Sequence, residues 1–173
     1  MLAPYLLRRQ MQEVTGSLPE APEAPGPRLL EALERAEGKL LPILTDRGQT
    51  LERQYEADGP VLAAAPRLEE ALLVLFREAI AYAEQGRRMG LRTIAKEGFL
   101  LLEIQVHTKR RRARAGEAEF ALLWEGIYRS PRDSDAPGAK LRRALEAIPG
   151  AFSAVRRTKG GLALTLGLPV VSN

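Results

Sequence analysis

The feature that most constrains this chain is a one-sided helical pattern between Arg67 and Glu84. Apolar side chains recur there at spacings of three and four residues, whereas Glu69, Glu70 and Arg77 lie on other sides of the predicted helix. The apolar stripe consists of Leu68, Leu72, Leu75, Phe76, Ala79 and Ala83. A helix with a single apolar stripe has to bury it against another layer of structure. The sequence therefore predicts a layered domain.

The second layer is supplied by short β-rich runs bounded by turn residues. The predicted strands are Gln49–Tyr55, Val61–Ala65, Leu91–Ala95, Phe99–His107, Phe152–Arg156 and Leu162–Leu168, and the last four form two hairpins. Further helices are predicted at Phe120–Tyr128 and Ala139–Ile148. This order predicts an α/β (α+β) two-layer sandwich with a mixed, mainly antiparallel sheet. We expect Arg67–Glu84 and Ala139–Ile148 to pack on the same sheet face.

Residues 1–48 are predicted as a separate N-terminal helical segment. Met1–Val14 can form a short helix, and Thr15–Pro27 is a linker because it holds four prolines and two glycines. A second helix is predicted from Pro27 to Asp46, with Pro42 as a kink or break. Its leucine stripe exceeds what a capping helix needs, which predicts a homodimer through the N-terminal helices. The stripe consists of Leu29, Leu33, Leu40 and Leu44.

Composition excludes several kinds of chemistry. A chain of 173 residues without cysteine has no disulfide, no cysteine-based zinc site and no thiol nucleophile. His107 is the single histidine, which argues against a histidine-rich metal centre. No apolar run approaches the roughly 18 to 20 residues that span a bilayer, and no secretory leader opens the sequence. We therefore expect a cytoplasmic protein without a membrane segment, and the scarcity of asparagine suits a thermophile or a GC-rich genome.

Three strings, in their order along the chain, resemble motifs of one known domain. Val74–Tyr82 has the frame of an N box, in which two asparagines stand four residues apart before an alanine and an aromatic residue. Trp124–Ser130 is similar to an F box, and Lys159–Pro169 to the glycine-rich hairpin and closing strand that end the domain. Over about Pro27–Val171 the chain thus resembles the ATP-binding domain of sensor histidine kinases, the GHKL or Bergerat fold. The resemblance implies such a domain at 49–173.

The resemblance also implies a nucleotide pocket, at positions that this chain has altered. Family members hold Mg²⁺ and the phosphates with the N-box asparagines, whose positions here are Val74 and Glu78. The aspartate that accepts a hydrogen bond from adenine falls near Arg110, and arginine has only donors. The glycine-rich lid is reduced to Gly138, close to Lys140. The implied pocket, in degenerate form, comprises Glu78, Tyr82, Arg110, Gly138 and Lys140. No catalytic residue and no cofactor are then expected, with ATP and Mg²⁺ as the alternative.

Several residues have two interpretations. Glu78 is either a partly exposed side chain paired with a neighbouring arginine or a remaining Mg²⁺ ligand. The basic run Lys109–Arg114 is either a solvated loop or a contact for an anion, a nucleic acid or an acidic protein. Its cationic members are Lys109, Arg110, Arg111, Arg112 and Arg114. Trp124, Ile127 and Tyr128 are expected in the core, and His107 at a surface strand end, where it is not a phosphoacceptor.

These observations favour a non-catalytic, histidine-kinase-like signalling module. Such a module would bind a partner such as a response regulator or a sensor kinase. Two alternatives remain open: a divergent ATP-binding kinase or ATPase, and a nucleic-acid-associated regulator that uses the arginine-rich loop. The absence of aromatic residues within that loop argues against sequence-specific reading of single strands.

Overall fold

The computed structural model describes residues 26–83, 85–107, 137–156 and 161–171. The described elements, in chain order, are α1 (Leu29–Asp46), β1 (Thr50–Tyr55), α2 (Ala65–Tyr82), β2 (Arg88–Lys96), β3 (Phe99–Val106), α3 (Pro137–Glu146), β4 (Ala151–Arg156) and β5 (Leu162–Pro169). Within these ranges, no helix is both long and apolar enough to cross a membrane. The predicted helix at Phe120–Tyr128 lies outside the described residues.

The described strands form one sheet in the order β1-β2-β3-β5-β4. β1 and β2 run parallel, and the other three neighbouring pairs are antiparallel. The predicted mixed, mainly antiparallel sheet is therefore confirmed. Along β2 and β3, buried Leu91 and Ile104 face each other on one side, called here the inner face, because side chains alternate along a strand. Arg92 and Glu103 face each other on the opposite side, the outer face.

The described helices lie together on the inner face. α2 packs against both α1 and α3, and its apolar stripe is buried from Leu68 to Ile80. Leu141 and Ala144 of α3 belong to the same hydrophobic core as Leu102 of β3. The prediction that α2 and α3 share one sheet face is thus confirmed, and with it the two-layer helix/sheet sandwich.

The leucine stripe of α1 is buried inside the domain and does not form a surface for a second copy. Leu29, Leu33, Leu40 and Leu44 all belong to the hydrophobic core, and α1 packs along α2. The leucine stripe therefore does not support the predicted homodimer, which stays a prediction, because the stripe packs against α2 within the core. The helix also continues through Pro42 without a break.

The predicted strand at Val61–Ala65 is wrong. Val61 forms only an isolated bridge with Val170, and the helix already begins at Ala65. Pro66 explains the difference, because proline in the first helical turn fixes a helical φ angle and loses no hydrogen bond there. The apolar run therefore turns into α2 instead of extending as a strand.

A distant carboxylate caps the start of α1. Arg28 occupies the N-cap position without a capping side chain of the usual kind. Instead, Asp58 Oδ1 accepts a hydrogen bond from the Leu30 N–H at 3.0 Å, and Asp58 Oδ2 pairs with the Arg28 guanidinium at 3.0 Å. A carboxylate at a helix N-terminus satisfies a free N–H and complements the helix dipole. The turn that follows β1 thereby fixes the position of α1.

The predicted β2–β3 hairpin is confirmed, and it closes through a two-residue turn. Glu97 and Gly98 both have positive φ angles, 48° and 82°. Two consecutive positive φ angles are the geometry of the type I′ turn, whose twist matches that of antiparallel strands.

Candidate functional site

Val74, Glu78 and Tyr82 line one side of α2, at the positions where the resemblance implies a nucleotide pocket. Their four-residue spacing brings them onto one face of the helix. All three are partly buried, whereas the adjacent stripe that includes Leu75 and Ala79 is fully buried against the core. Glu78 and Tyr82 therefore lie on the same face of the helix, as predicted, at the edge of the hydrophobic core.

Burial raises the pKa of the Glu78 carboxyl above its usual value. No hydrogen bond or ion pair joins Glu78 to any other residue of the described ranges, so the expected pairing with a neighbouring arginine is not found there. A carboxyl without such a partner is harder to ionise when water is removed from it.

The described residues do not by themselves form a metal site. They contain no cluster of three or more acidic or histidine side chains that could hold an ion. Mg²⁺ needs near-octahedral oxygen ligands and is often held by one or two carboxylates together with substrate phosphates. Glu78 could supply one such oxygen, but Val74, at the other N-box position, has no ligand atom.

The remaining pocket residues are placed only in part. Gly138 and Lys140 lie in the first turn of α3, which packs against α2, and Lys140 is exposed. The fold thus brings the two helices that carry Glu78, Tyr82, Gly138 and Lys140 next to each other. Arg110 lies outside the described residues, as do the other basic residues Lys109, Arg111, Arg112 and Arg114 and the aromatic-rich string with Trp124, Ile127 and Tyr128.

His107 follows directly after β3 and is exposed. Its predicted position at a surface strand end is confirmed.

Sequence reasoning missed a shallow cavity of about 410 Å³ on the outer sheet face. It is lined by Glu52, Arg53, Gln54, Arg88, Gly90, Leu91, Arg92, Gln105 and His107. Gly90 lies between Arg88 and Arg92 on the same face of β2, so the missing side chain opens the cavity. A glycine inside a strand was the available signal. Arg92 is already engaged there by Glu56 and Glu103.

A polar cluster between α1 and β1 was also missed, because it joins residues distant in sequence. Arg53 and the Tyr55 hydroxyl both donate hydrogen bonds to the Glu37 carboxylate. Burial, together with the hydrogen bond to Glu37, raises the pKa of Tyr55. The cluster ties α1 to the edge strand, and we assign it a structural role.

Glu78→Gln is expected to stabilise the protein at neutral pH and to leave stability nearly unchanged at pH 4. The folded-state pKa of Glu78 lies above its unfolded value near 4.5, so the wild-type chain loses stability as pH rises from 4.5 through the folded pKa. A neutral glutamine does not pay that ionisation penalty. Denaturant unfolding at pH 4 and pH 7 measures the effect, with Glu70→Gln on the exposed side of α2 as control. Equal effects of Glu78→Gln at the two pH values would contradict the assignment.

Comparison with known proteins gives a uniform result at the level of structure. No protein-family profile and no curated protein matches the sequence. Among solved structures, the nucleotide-free catalytic domain of histidine kinase ThkA is similar with a TM-score of 0.64 at 11% identity, over 83% of this chain and 96% of that one. The mycobacterial sensor histidine kinase MprB gives 0.60 at 19% identity, over 83% and 95%. Acinetobacter baumannii histidine kinase AdeS gives 0.60 at 13% identity, over 95% and 76%.

These similarities agree with the resemblance read from the N-box frame, the F-box string and the closing hairpin. They extend over most of the described elements and over nearly the whole length of the isolated catalytic domains. At this level of identity they establish the fold. The chain therefore has the fold of the histidine kinase catalytic (ATPase) domain.

Proposed function

We propose that this domain is a histidine-kinase-like signalling module that acts through protein contacts and has lost the ATP binding of that fold. The observation that carries the proposal is the pair of residues on the pocket side of α2. Val74 offers no ligand atom, and Glu78 offers a partly buried carboxylate with a raised pKa and no cationic partner in the described ranges. A pocket that binds a polyphosphate needs positive charge toward the phosphates, not an unpaired carboxylate.

Two separate free-energy costs are expected to weaken ATP binding. An ionised Glu78 facing a phosphate without an intervening Mg²⁺ costs about 1 to 4 kcal/mol at contact distance. An adenine amine without its acceptor costs a further 1 to 3 kcal/mol, roughly, if the position near Arg110 has only donors. About 4 kcal/mol is enough to move a micromolar dissociation constant to millimolar. We therefore expect no autophosphorylation, no ATP hydrolysis and no ATP binding at cellular concentration.

Calorimetric titration of the full chain with ATP and Mg²⁺ tests the proposal. The expected result is no saturable heat below millimolar ATP, both for the wild type and for the Glu70→Gln control. Saturable binding with a dissociation constant below about 100 μM, abolished by Glu78→Ala, would overturn the proposal.

That outcome would instead support a divergent ATPase, and one observation favours it. Glu78 lies on α2, which packs against α3, and Lys140 is an exposed cation in the first turn of α3. In this alternative Glu78 would supply an oxygen to Mg²⁺, and Lys140 would contact a phosphate.

The proposed partner is another signalling protein, such as a response regulator or a sensor kinase, in the cytoplasm. Arg88 is exposed on β2, and the basic run Lys109–Arg114 follows His107 along the chain. Arginine and lysine side chains of this kind suit an acidic protein surface. A nucleic acid is the second candidate for the same run. Steeply salt-dependent binding to DNA of any sequence would favour it over a protein partner.

A further inference from the structure

The cavity on the outer sheet face, called here the outer cavity, has the size of a small-molecule site. Its volume is about 410 Å³, and such sites typically have about 300 to 1,000 Å³. Its floor is Gly90 of β2, which stands between Glu52 of β1 and Gln105 of β3. Arg88 lies two residues before Gly90 on the same face of β2. His107, two residues after Gln105, lines the same end of the cavity as Arg88 because β2 and β3 are antiparallel.

Neither the backbone conformation nor the packing requires a glycine at position 90. Gly90 has no positive φ angle. A side chain built there would meet Gln105 at 3.4 Å, which is an ordinary van der Waals contact. Glycine inside a strand is unfavourable, because it loses more backbone entropy on folding and has no side chain to pack. What Gly90 provides in exchange is the open space of the outer cavity.

The charged side chains around the outer cavity are unevenly paired. Arg92 is engaged by Glu56 at 3.2 Å and by Glu103 at 3.9 Å. Arg88 and Glu52 are both exposed, and no hydrogen bond or ion pair joins either of them to another residue of the described ranges. The described lining therefore presents a cation and a carboxylate that are not paired with each other, on adjoining strands.

We propose that the outer cavity binds a small zwitterion, an α-amino acid with a free ammonium and a free carboxylate group. The Arg88 guanidinium binds the carboxylate, for which its fork of N–H donors is suited, and the Glu52 carboxylate accepts hydrogen bonds from the ammonium group. The side chain of the amino acid extends over Gly90. A simple anion is repelled by Glu52 and a simple amine by Arg88, so each satisfies only half of the arrangement.

This site is separate from the nucleotide pocket that the fold implies. Glu78 lies on α2, which packs on the inner face of the sheet, whereas Arg88 and Gly90 lie on the outer face. An amino acid in the outer cavity therefore binds whether or not the domain binds ATP. The two proposals can fail independently of each other.

Proton NMR of the full chain tests the proposal, because His107 is the single histidine and lines the outer cavity. Its imidazole signals therefore report on this one place. At constant pH, L-glutamine, whose side chain is uncharged, is expected to shift them saturably with a dissociation constant of about 1 mM or below. Acetate, methylamine and inorganic phosphate are each expected to bind at least about tenfold more weakly, because each lacks one of the two charges.

Three variants locate the binding. Arg88→Ala and Glu52→Gln should each weaken L-glutamine binding at least about tenfold, since each removes one charged partner. Gly90→Val fills the floor of the cavity and should abolish binding without lowering the unfolding temperature, because valine is favoured in strands. Arg67→Ala, which removes an exposed arginine of α2, is the matched control and should bind like the wild type.

Three results would overturn the proposal. The first is the absence of a saturable shift with L-glutamine up to about 10 mM. The second is equally tight binding of acetate, which would indicate a site for any carboxylate, including an acidic side chain of a protein partner. The third is L-glutamine binding that Arg88→Ala, Glu52→Gln and Gly90→Val all leave unchanged, which would place the amino acid elsewhere on the protein.

Discussion

Leu72→Ala is expected to lower the free energy of unfolding by about 2 to 5 kcal/mol. Leu72 is 0% exposed and lies on α2, the helix that packs against both α1 and α3. Truncation there removes methyl groups from the closely packed hydrophobic core, and the neighbours cannot all move to fill the space. The loss should be larger than for any surface position of the same helix.

The adjacent residue provides the control. Leu73 is only partly buried, at the margin of the core, so Leu73→Ala should cost less than Leu72→Ala. Urea unfolding of both variants measures the difference, and Leu75→Ala should behave like Leu72→Ala because it too is 0% exposed. Equal costs at Leu72 and Leu73 would show that the stripe of α2 has been assigned to the wrong side.

The central helix was predictable because its signal is local. The apolar stripe repeats over five turns and requires no knowledge of distant residues. Only its ends were misplaced: the sequence predicted Arg67–Glu84, and the helix runs from Ala65 to Tyr82. Pro66 starts the helix early, and helix ends depend on single residues in this way.

The role of α1 was not predictable from its own pattern. A leucine stripe looks the same whether it contacts a second copy or the core of the same chain. The packing partner of the stripe depends on contacts that the chain makes after β1, where Asp58 caps α1 and Val61 bridges to Val170. These contacts join residues far apart in sequence, and helical spacing contains no information about them.

For the candidate site, the sequence predicted the positions of the side chains but not their partners. Four-residue spacing was enough to place Val74, Glu78 and Tyr82 on one side of α2. The spacing could not show that Glu78 has no cationic partner in the described ranges, because an ion pair depends on the surrounding elements. Our proposal that ATP binding has been lost rests on this missing partner more than on the loss of asparagine itself.

Gly161→Ala is expected to destabilise the protein by about 2 to 6 kcal/mol, through backbone strain and overpacking together. Gly161 has a φ angle of 148°, and a side chain built there would meet the Val106 carbonyl oxygen at 2.6 Å. That oxygen belongs to the end of β3, which pairs with the start of β5 through Val106 and Leu162. Backbone on both sides leaves no flexible side chain that could move away.

Gly38→Ala is the matched control, because the same substitution should there act in the opposite direction. Gly38 lies within α1, and a side chain built on it would meet nothing within 4 Å. Alanine in an exposed helix interior is favoured over glycine by about 0.5 to 1 kcal/mol, since glycine loses more backbone entropy on folding. Thermal and urea unfolding should therefore rank the proteins as Gly38→Ala above the wild type and Gly161→Ala well below it. If Gly161→Ala unfolded like the wild type, the close approach of Gly161 to the end of β3 would be wrong, and with it the pairing of Val106 with Leu162 just before His107.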